Sequence, residues 1–224
     1  MLTRSSRFNG FTSSPVAPKT KPLKRLFHPY VFTTGVNPGV NEIRATMTKK
    51  ILLTGRPGCG KTTLIKRVVG ELALQAGGFY TVEIRQRGER VGFKIITLSG
   101  EEAVFADVDF RTPQRLGKYG LDLAALETVG VEALHTAMRE RQLVVIDEIG
   151  PMEIRSTIFR DVVHQVFDSP DVSGILGTIT ARSFPFTNTI KKRPDVSVIE
   201  VRPDNREGLL SELSDQLKRQ DRTH

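Results

Sequence analysis

The sequence predicts a three-layer α/β domain: a mainly parallel sheet between helices, with an inserted β-hairpin. Three observations carry this. The short apolar run Lys50-Ile51-Leu52-Leu53-Thr54 meets a glycine-rich turn and then a helical pattern. A second apolar run, Leu143-Val144-Val145-Ile146, ends in Asp147-Glu148. Between them, two β-rich stretches, 79–86 and 91–98, flank the turn Arg87-Gly88-Glu89-Arg90. Uninterrupted apolar runs of this length suit strands buried on both faces of a parallel sheet.

Residues 1–46 come first and differ in kind. They are rich in Ser, Thr, Pro and Gly, without sustained periodicity, and are expected to be a disordered basic extension. Arg4, Arg7, Lys19, Lys21, Lys24, Arg25 and Arg44 face a single acid, Glu42, so this stretch holds most of the chain's net charge of +8. The remainder, 47–224, is nearly neutral and gives no reason to expect a nucleic-acid partner. A basic, acid-poor, serine-containing leader also describes an organelle transit peptide. The alternative is a start at Met47, which runs directly into the first strand, and an internal start or a dispensable extension is favoured. No run reaches the length of a membrane span, so a cytoplasmic protein is expected, with organelle import if 1–46 is a transit peptide. A monomer is expected.

After the first strand, Gly55-Arg56-Pro57-Gly58-Cys59-Gly60-Lys61-Thr62 fits the phosphate-loop pattern G-x-x-x-x-G-K-S/T, in the strand–loop–helix setting the pattern requires. Its glycines let backbone N–H groups turn inward around an anion, and the following helix adds a partial positive charge. Lys61 is expected to reach the β- and γ-phosphates of a nucleotide, and the Thr62 hydroxyl to ligate Mg²⁺. Leu64, Ile65, Val68, Val69 and Leu72 recur at helical spacing, and Gly77-Gly78 is expected to end that helix. Cys59 is the sole cysteine, which excludes an internal disulfide and a zinc cluster, and the four histidines have no ligand spacing. Cys59 reads either as a small residue that fits the loop or as an oxidation-sensitive point.

Beyond the hairpin, 104–108 is expected to add a short strand. Residues 109–120 read as a loop whose Arg111, Arg115 and Lys118 face either phosphates or solvent. A helical pattern covers 123–140 with a break near Gly130. Asp147 then lies at the carboxyl end of a parallel strand, where α/β sheets bind ligands, and is expected to hold Mg²⁺ as a Walker B aspartate. Glu148 is expected to polarise the attacking water. The two acids would otherwise cap a turn. Downstream, Phe159, Val162, Val163, Val166 and Phe167 form a core helix stripe, 174–180 and 196–201 are strands, and Asp204 or Asn205 caps a last helix carrying Leu209, Leu210, Leu213 and Leu217. The basic stretch 182–194 reads as a lid or a solvated loop, with the loop preferred.

Several longer motifs resemble the small nucleoside-triphosphatase family sometimes called cancer-related nucleoside-triphosphatase. They are Gly55 to Leu64, Gly78-Phe79-Tyr80-Thr81, Val91-Gly92-Phe93, Leu98-Ser99-Gly100, Gly117 to Leu123, Val145 to Glu153, Leu176-Gly177-Thr178-Ile179 and Asn205-Arg206. The resemblance implies a P-loop domain, RecA-like or kinase-like, that hydrolyses ATP, GTP and other nucleoside triphosphates with loose base preference. It also implies a second nucleotide-contacting segment, Leu143, Val144, Val145, Ile146, Asp147, Glu148, Ile149 and Gly150, and places Asn205-Arg206 near the base. Pro151 stands where the family more often has lysine, and Thr180-Ala181-Arg182-Ser183 falls in a region that varies, which puts a role for Arg182 in doubt.

Hydrolysis on this reading uses Lys61, Asp147 and Glu148, with Arg111, Arg115 and Arg182 as unranked candidates for a charge-stabilising arginine. A nucleotide-dependent small-molecule kinase is the alternative, because the same loop serves transfer to an acceptor. A GTPase switch is disfavoured: Asp147-Glu148-Ile149-Gly150 fits D-x-x-G, but no N-K-x-D base-reading motif follows.

Overall fold

Strand β1 (Lys49–Thr54) runs between two parallel neighbours, β8 (Gly174–Ile179) and β9 (Val196–Glu200), with Leu52 opposite Gly177 and Val198. The computed structural model describes residues 49–72 and 75–221. The basic extension 1–46 and the start at Met47 therefore lie outside the described residues.

From β1 the chain passes through helix α1 (Lys61–Leu72) to a long hairpin, β2 (Ala76–Gln86) and β3 (Glu89–Thr97). It continues through β4 (Glu102–Asp107) and two short strands, β5 (Arg115–Leu116) and β6 (Tyr119–Leu121). A helical stretch follows: one turn, α2 (Leu123–Ala125), a π-helical segment Leu126–Val131, and α3 (Glu132–Arg139). Then come β7 (Leu143–Ile149), a 3₁₀ turn Glu153–Arg155, α4 (Thr157–Asp168), β8, α5 (Pro185–Lys191), β9 and α6 (Arg206–Asp221).

Among the described residues, nine strands form one sheet in the order β5-β6-β4-β3-β2-β7-β8-β1-β9. The run β2-β7-β8-β1-β9 is parallel, and the hairpin with β4, β5 and β6 extends it as an antiparallel wing. Alternation along the strands sorts the core. Ile51, Leu53, Leu143 and Val145 pack toward α1 and α6, whereas Leu52, Val144 and Ile146 pack with Phe79, Leu134, Phe159 and Val163 on the other face. The result is three layers, each face of the sheet dried by helices.

Four local expectations change. Gly77 and Gly78 do not end α1 but open β2, where Gly78 adopts φ +114° and a Cβ would run into the Val145 carbonyl of the neighbouring strand. The break expected near Gly130 is the π-helical segment, which keeps the chain helical. The loop 109–120 contains β5, a turn at Gly117 and the start of β6, which extend the antiparallel wing. Helix α5 occupies much of the expected loop 182–194, with Pro185 in its first turn.

Charge pins the far end of the sheet. Lys50 at the start of β1 donates to the Phe167 carbonyl and to Asp195, each at 2.6 Å, and Arg193 bonds Asp168, Asp195 and Phe167 as well. These contacts tie the entry of β9 to the carboxyl end of α4.

Candidate active site

The loop between β1 and α1 is shaped by backbone positions that only glycine accepts easily. Gly55 has φ +141°, and a Cβ there would lie 2.5 Å from the Val201 carbonyl oxygen. Gly58 and Gly60 also have positive φ, which lets the loop curl into the amino end of α1. Lys61 Nζ folds back to donate to the carbonyls of Gly55 and Arg56, at 3.2 and 3.3 Å. Cys59 is buried against the α1 and α6 core, which favours the reading of a small loop-filling residue.

Across from this loop, β7 ends in Asp147 and Glu148. The pairing of β7 with β8 shifts register between Ile146 and Ile149, so the strict alternation of the strand is interrupted where the two acids stand. Asp147 is buried. Its Oδ1 accepts from Thr178 Oγ1 at 2.6 Å, whereas its Oδ2 is buried with no partner. Burial pushes the Asp147 carboxyl up from its ordinary range, opposed by the hydrogen bond from Thr178, by the nearby Thr62 hydroxyl and by the charges of Lys61 and Lys66. Glu148 is half-buried, and it too is pushed up, by burial and then by Asp147, with Lys61 pulling the other way.

An orphaned carboxylate oxygen beside a threonine hydroxyl suits a hard cation. Among the described residues no group of three or more His, Cys, Asp or Glu side chains is arranged to hold a metal by itself. Mg²⁺ commonly binds through one or two protein oxygens and completes its shell with phosphate and water, so Thr62 and Asp147 fit it.

These residues share one cleft of about 460 Å³, lined by Pro57, Gly58, Gly60, Lys61, Thr62, Asp147 and Glu148 on one side and by hairpin residues on the other. Of the expected segment Leu143–Gly150, Asp147 and Glu148 line the cleft, whereas Leu143, Val144, Val145, Ile146 and Ile149 are buried core. The hairpin wall, Thr81, Val82, Glu83, Arg90 and Phe93, was not legible as site. Arg90 bonds Glu83 and the Tyr119 hydroxyl and stacks over the Phe93 ring at 5.1 Å. None of Arg111, Arg115 and Arg182 lines the cleft, and Arg115 is committed to the carbonyls of Phe110 and Lys118. Arg206 lies against the loop itself: a Cβ on Gly60 would be 2.9 Å from its guanidinium. Asn205 precedes α6 and bonds the Arg202 amide and the Glu200 carbonyl.

A family profile described as NTPase matches residues 50–214, from β1 into α6. The chain belongs to this NTPase family. It is 50% identical over 169 residues to the nucleoside-triphosphatase THEP1 of Thermotoga sp. (strain RQ2), covering 75% of this chain and 95% of that protein. It is 36% identical over 182 residues to the cancer-related nucleoside-triphosphatase homolog of Mus musculus, covering 75% and 95%. Among solved structures, the crystal structure of THEP1 from Aquifex aeolicus superposes with a TM-score of 0.70 at 38% identity, covering 75% of this chain and 98% of that one. The solution structure of a human cancer-related nucleoside triphosphatase gives 0.66 at 35% identity, covering 76% and 97%. The family thus agrees with the resemblance carried by the motifs, and the three-layer fold with that of its solved members. No helix among the described residues is long and apolar enough to cross a membrane.

Proposed function

We propose that this family member hydrolyses nucleoside 5′-triphosphates, ATP, GTP and others with loose base preference, to the diphosphate and phosphate. The observation that carries the reading is the single cleft in which the phosphate loop, Thr62, Asp147 and Glu148 converge. THEP1 relatives are named nucleoside-triphosphatases, which supports the same activity here. In this scheme the loop amides and Lys61 bind the β- and γ-phosphates, giving up the carbonyl contacts that Lys61 now makes. Thr62 and Asp147 would hold Mg²⁺, which when bound would neutralise phosphate charge. Glu148 orients a water in line with the γ-phosphorus and accepts its proton, and the diphosphate leaves. Lys66 and Arg90 add positive charge to the cleft walls.

A small-molecule kinase would need an acceptor, and family membership favours water instead. The test is incubation with each of the four common triphosphates, and with inosine and xanthosine triphosphate, in Mg²⁺ buffer without acceptor. Steady phosphate release across the panel is expected. A single early release, or turnover only when an alcohol or nucleoside acceptor is added, overturns hydrolysis.

A further inference from the structure

Five buried side-chain polar atoms have no hydrogen-bond partner among the described residues: Thr54 Oγ1, Thr81 Oγ1, Asp147 Oδ2, Arg206 Nε and Ser214 Oγ. Two of the five belong to residues that line the cleft, Asp147 and Thr81. The first is the oxygen that suits a cation. The second is a hydroxyl that the hydrolytic scheme does not use. Thr81 lies in β2 opposite Ile95 of β3, where valine would serve the strand as well without taking a hydroxyl out of water. An unpaired buried hydroxyl destabilises the free protein, and a ligand that bonds it removes that cost.

Strand register says which ligand. β2 and β7 run parallel, with Tyr80 opposite Asp147. One residue further along each strand stand Thr81 and Glu148, and both line the cleft. Adjacent strands lie about 4.8 Å apart. A water that donates to two oxygens, each at about 2.8 Å, holds them at a similar separation. The sheet therefore sets a hydroxyl and a carboxyl side by side at a distance that one bridging water spans.

We propose that Thr81 is a catalytic residue that binds the attacking water together with Glu148: one O–H of the water points to the Glu148 carboxylate and the other to Thr81 Oγ1. With Glu148 alone the water still rotates about a single hydrogen bond. A second acceptor fixes its plane and aims a lone pair at the γ-phosphorus. As the new O–P bond forms, the proton facing Glu148 passes to it, and the bond from the γ-phosphorus to the bridging oxygen of the diphosphate breaks. The hydrogen facing Thr81 stays on the oxygen that becomes part of the phosphate, and Thr81 keeps its own. The inference rests on the hydrolytic reading of the cleft.

The experiment measures phosphate release from ATP in Mg²⁺ buffer, affinity for a non-hydrolysable ATP analogue, and melting temperature, for wild type, Thr81→Val, Thr81→Ala and Thr81→Ser. Valine keeps the shape and removes the hydroxyl, so kcat is expected to fall about tenfold to a hundredfold with analogue affinity unchanged. Melting temperature should not fall, since a hydroxyl without a partner in the free protein gives way to a methyl. Serine keeps the hydroxyl and should turn over within a few fold of wild type. Adding Thr81→Val to Glu148→Gln should cost less than the product of the two single losses, because both act on one water. Alanine answers the same question if the valine chain does not fold. The inference is overturned if Thr81→Val turns over like wild type, if serine is as slow as valine, if the two losses multiply in full, or if analogue affinity falls in step with kcat. A fall in melting temperature that serine reverses also overturns it, by assigning the hydroxyl to a structural bond. Wild type that releases no phosphate overturns the hydrolytic reading and Thr81 with it, whereas active wild type beside an equally active Thr81→Val overturns Thr81 alone.

Discussion

Thr178 Oγ1 donates to Asp147 Oδ1 at 2.6 Å across thirty-one positions of sequence, from β8 to β7. The bond uses one oxygen of the acid and leaves Oδ2, buried and unpartnered, as the atom available to a cation. Thr178→Val keeps the volume and removes the donor. Hydrolysis is expected to fall about tenfold or more, with a higher Mg²⁺ requirement, and stability by about 1–3 kcal/mol. Titrating Mg²⁺ in the activity assay and melting both proteins checks each half; an unchanged Mg²⁺ midpoint removes Thr178 from the site.

Lys61→Ala deletes the charge expected to face the β- and γ-phosphates. Triphosphate binding should weaken markedly and turnover should nearly vanish. Melting temperature should move little, because Lys61 contributes only two loop-carbonyl contacts to the folded chain. Calorimetric titration with a triphosphate, alongside phosphate release, is the measurement, and near-normal hydrolysis would refute the phosphate-loop reading.

Glu148→Gln separates water activation from nucleotide binding. The amide keeps shape but cannot accept the proton, so kcat should fall about 10²- to 10⁴-fold, roughly 3–5 kcal/mol of barrier. Affinity should hold, because the loop, Thr62 and Asp147 are untouched. The variant should accumulate with intact triphosphate bound, which chromatography of the extracted nucleotide reads directly.

Asp195 couples stability to pH. Hydrogen bonds from Arg193, then Lys50, hold its carboxyl well below the usual range against the opposing effect of burial. A folded-state value below the unfolded one means that the unfolded chain binds the proton first as pH falls. The stabilisation is therefore full above the unfolded value near pH 4 and is lost as pH drops through the folded one. Asp195→Asn is expected to destabilise by about 1–2 kcal/mol at pH 7 and by progressively less below pH 4. Urea melts of both proteins at the two pH values test this, and a gap that widens in acid contradicts it.

A chain beginning at Met47 is expected to fold and hydrolyse like the full chain, since the family match begins at residue 50 and the core formed by the described residues runs from Ile51. Activity and melting temperature of the two chains decide it, and loss of either assigns residues 1–46 a working part.

What the sequence determined by itself is local. A phosphate loop is a strand, a turn and a helix joined in series, so Gly55 to Thr62 can be read from spacing, and a buried strand that ends in acids announces Asp147 and Glu148 in the same way. Where signals were weak or misread, the cause is also physical. Gly77-Gly78 resembles a helix stop, but Gly78 meets the strand requirement for close backbone approach to Val145. Strands β5 and β6 are too short to show alternation, and Pro185, a first-turn signal for α5, was hidden in a basic stretch.

Only the tertiary structure decided which distant groups meet. Sheet order sets β8 between β1 and β7 and so brings Thr178 to Asp147. The same order lays the hairpin beside β7, so that Arg90 rather than Arg111, Arg115 or Arg182 walls the cleft. The turn after β7 brings Glu148 and Glu153 to the same bare side of Gly150. A residue's type and neighbours in sequence carry no record of these pairings, because they arise from strand register and layer packing, which the whole chain sets together.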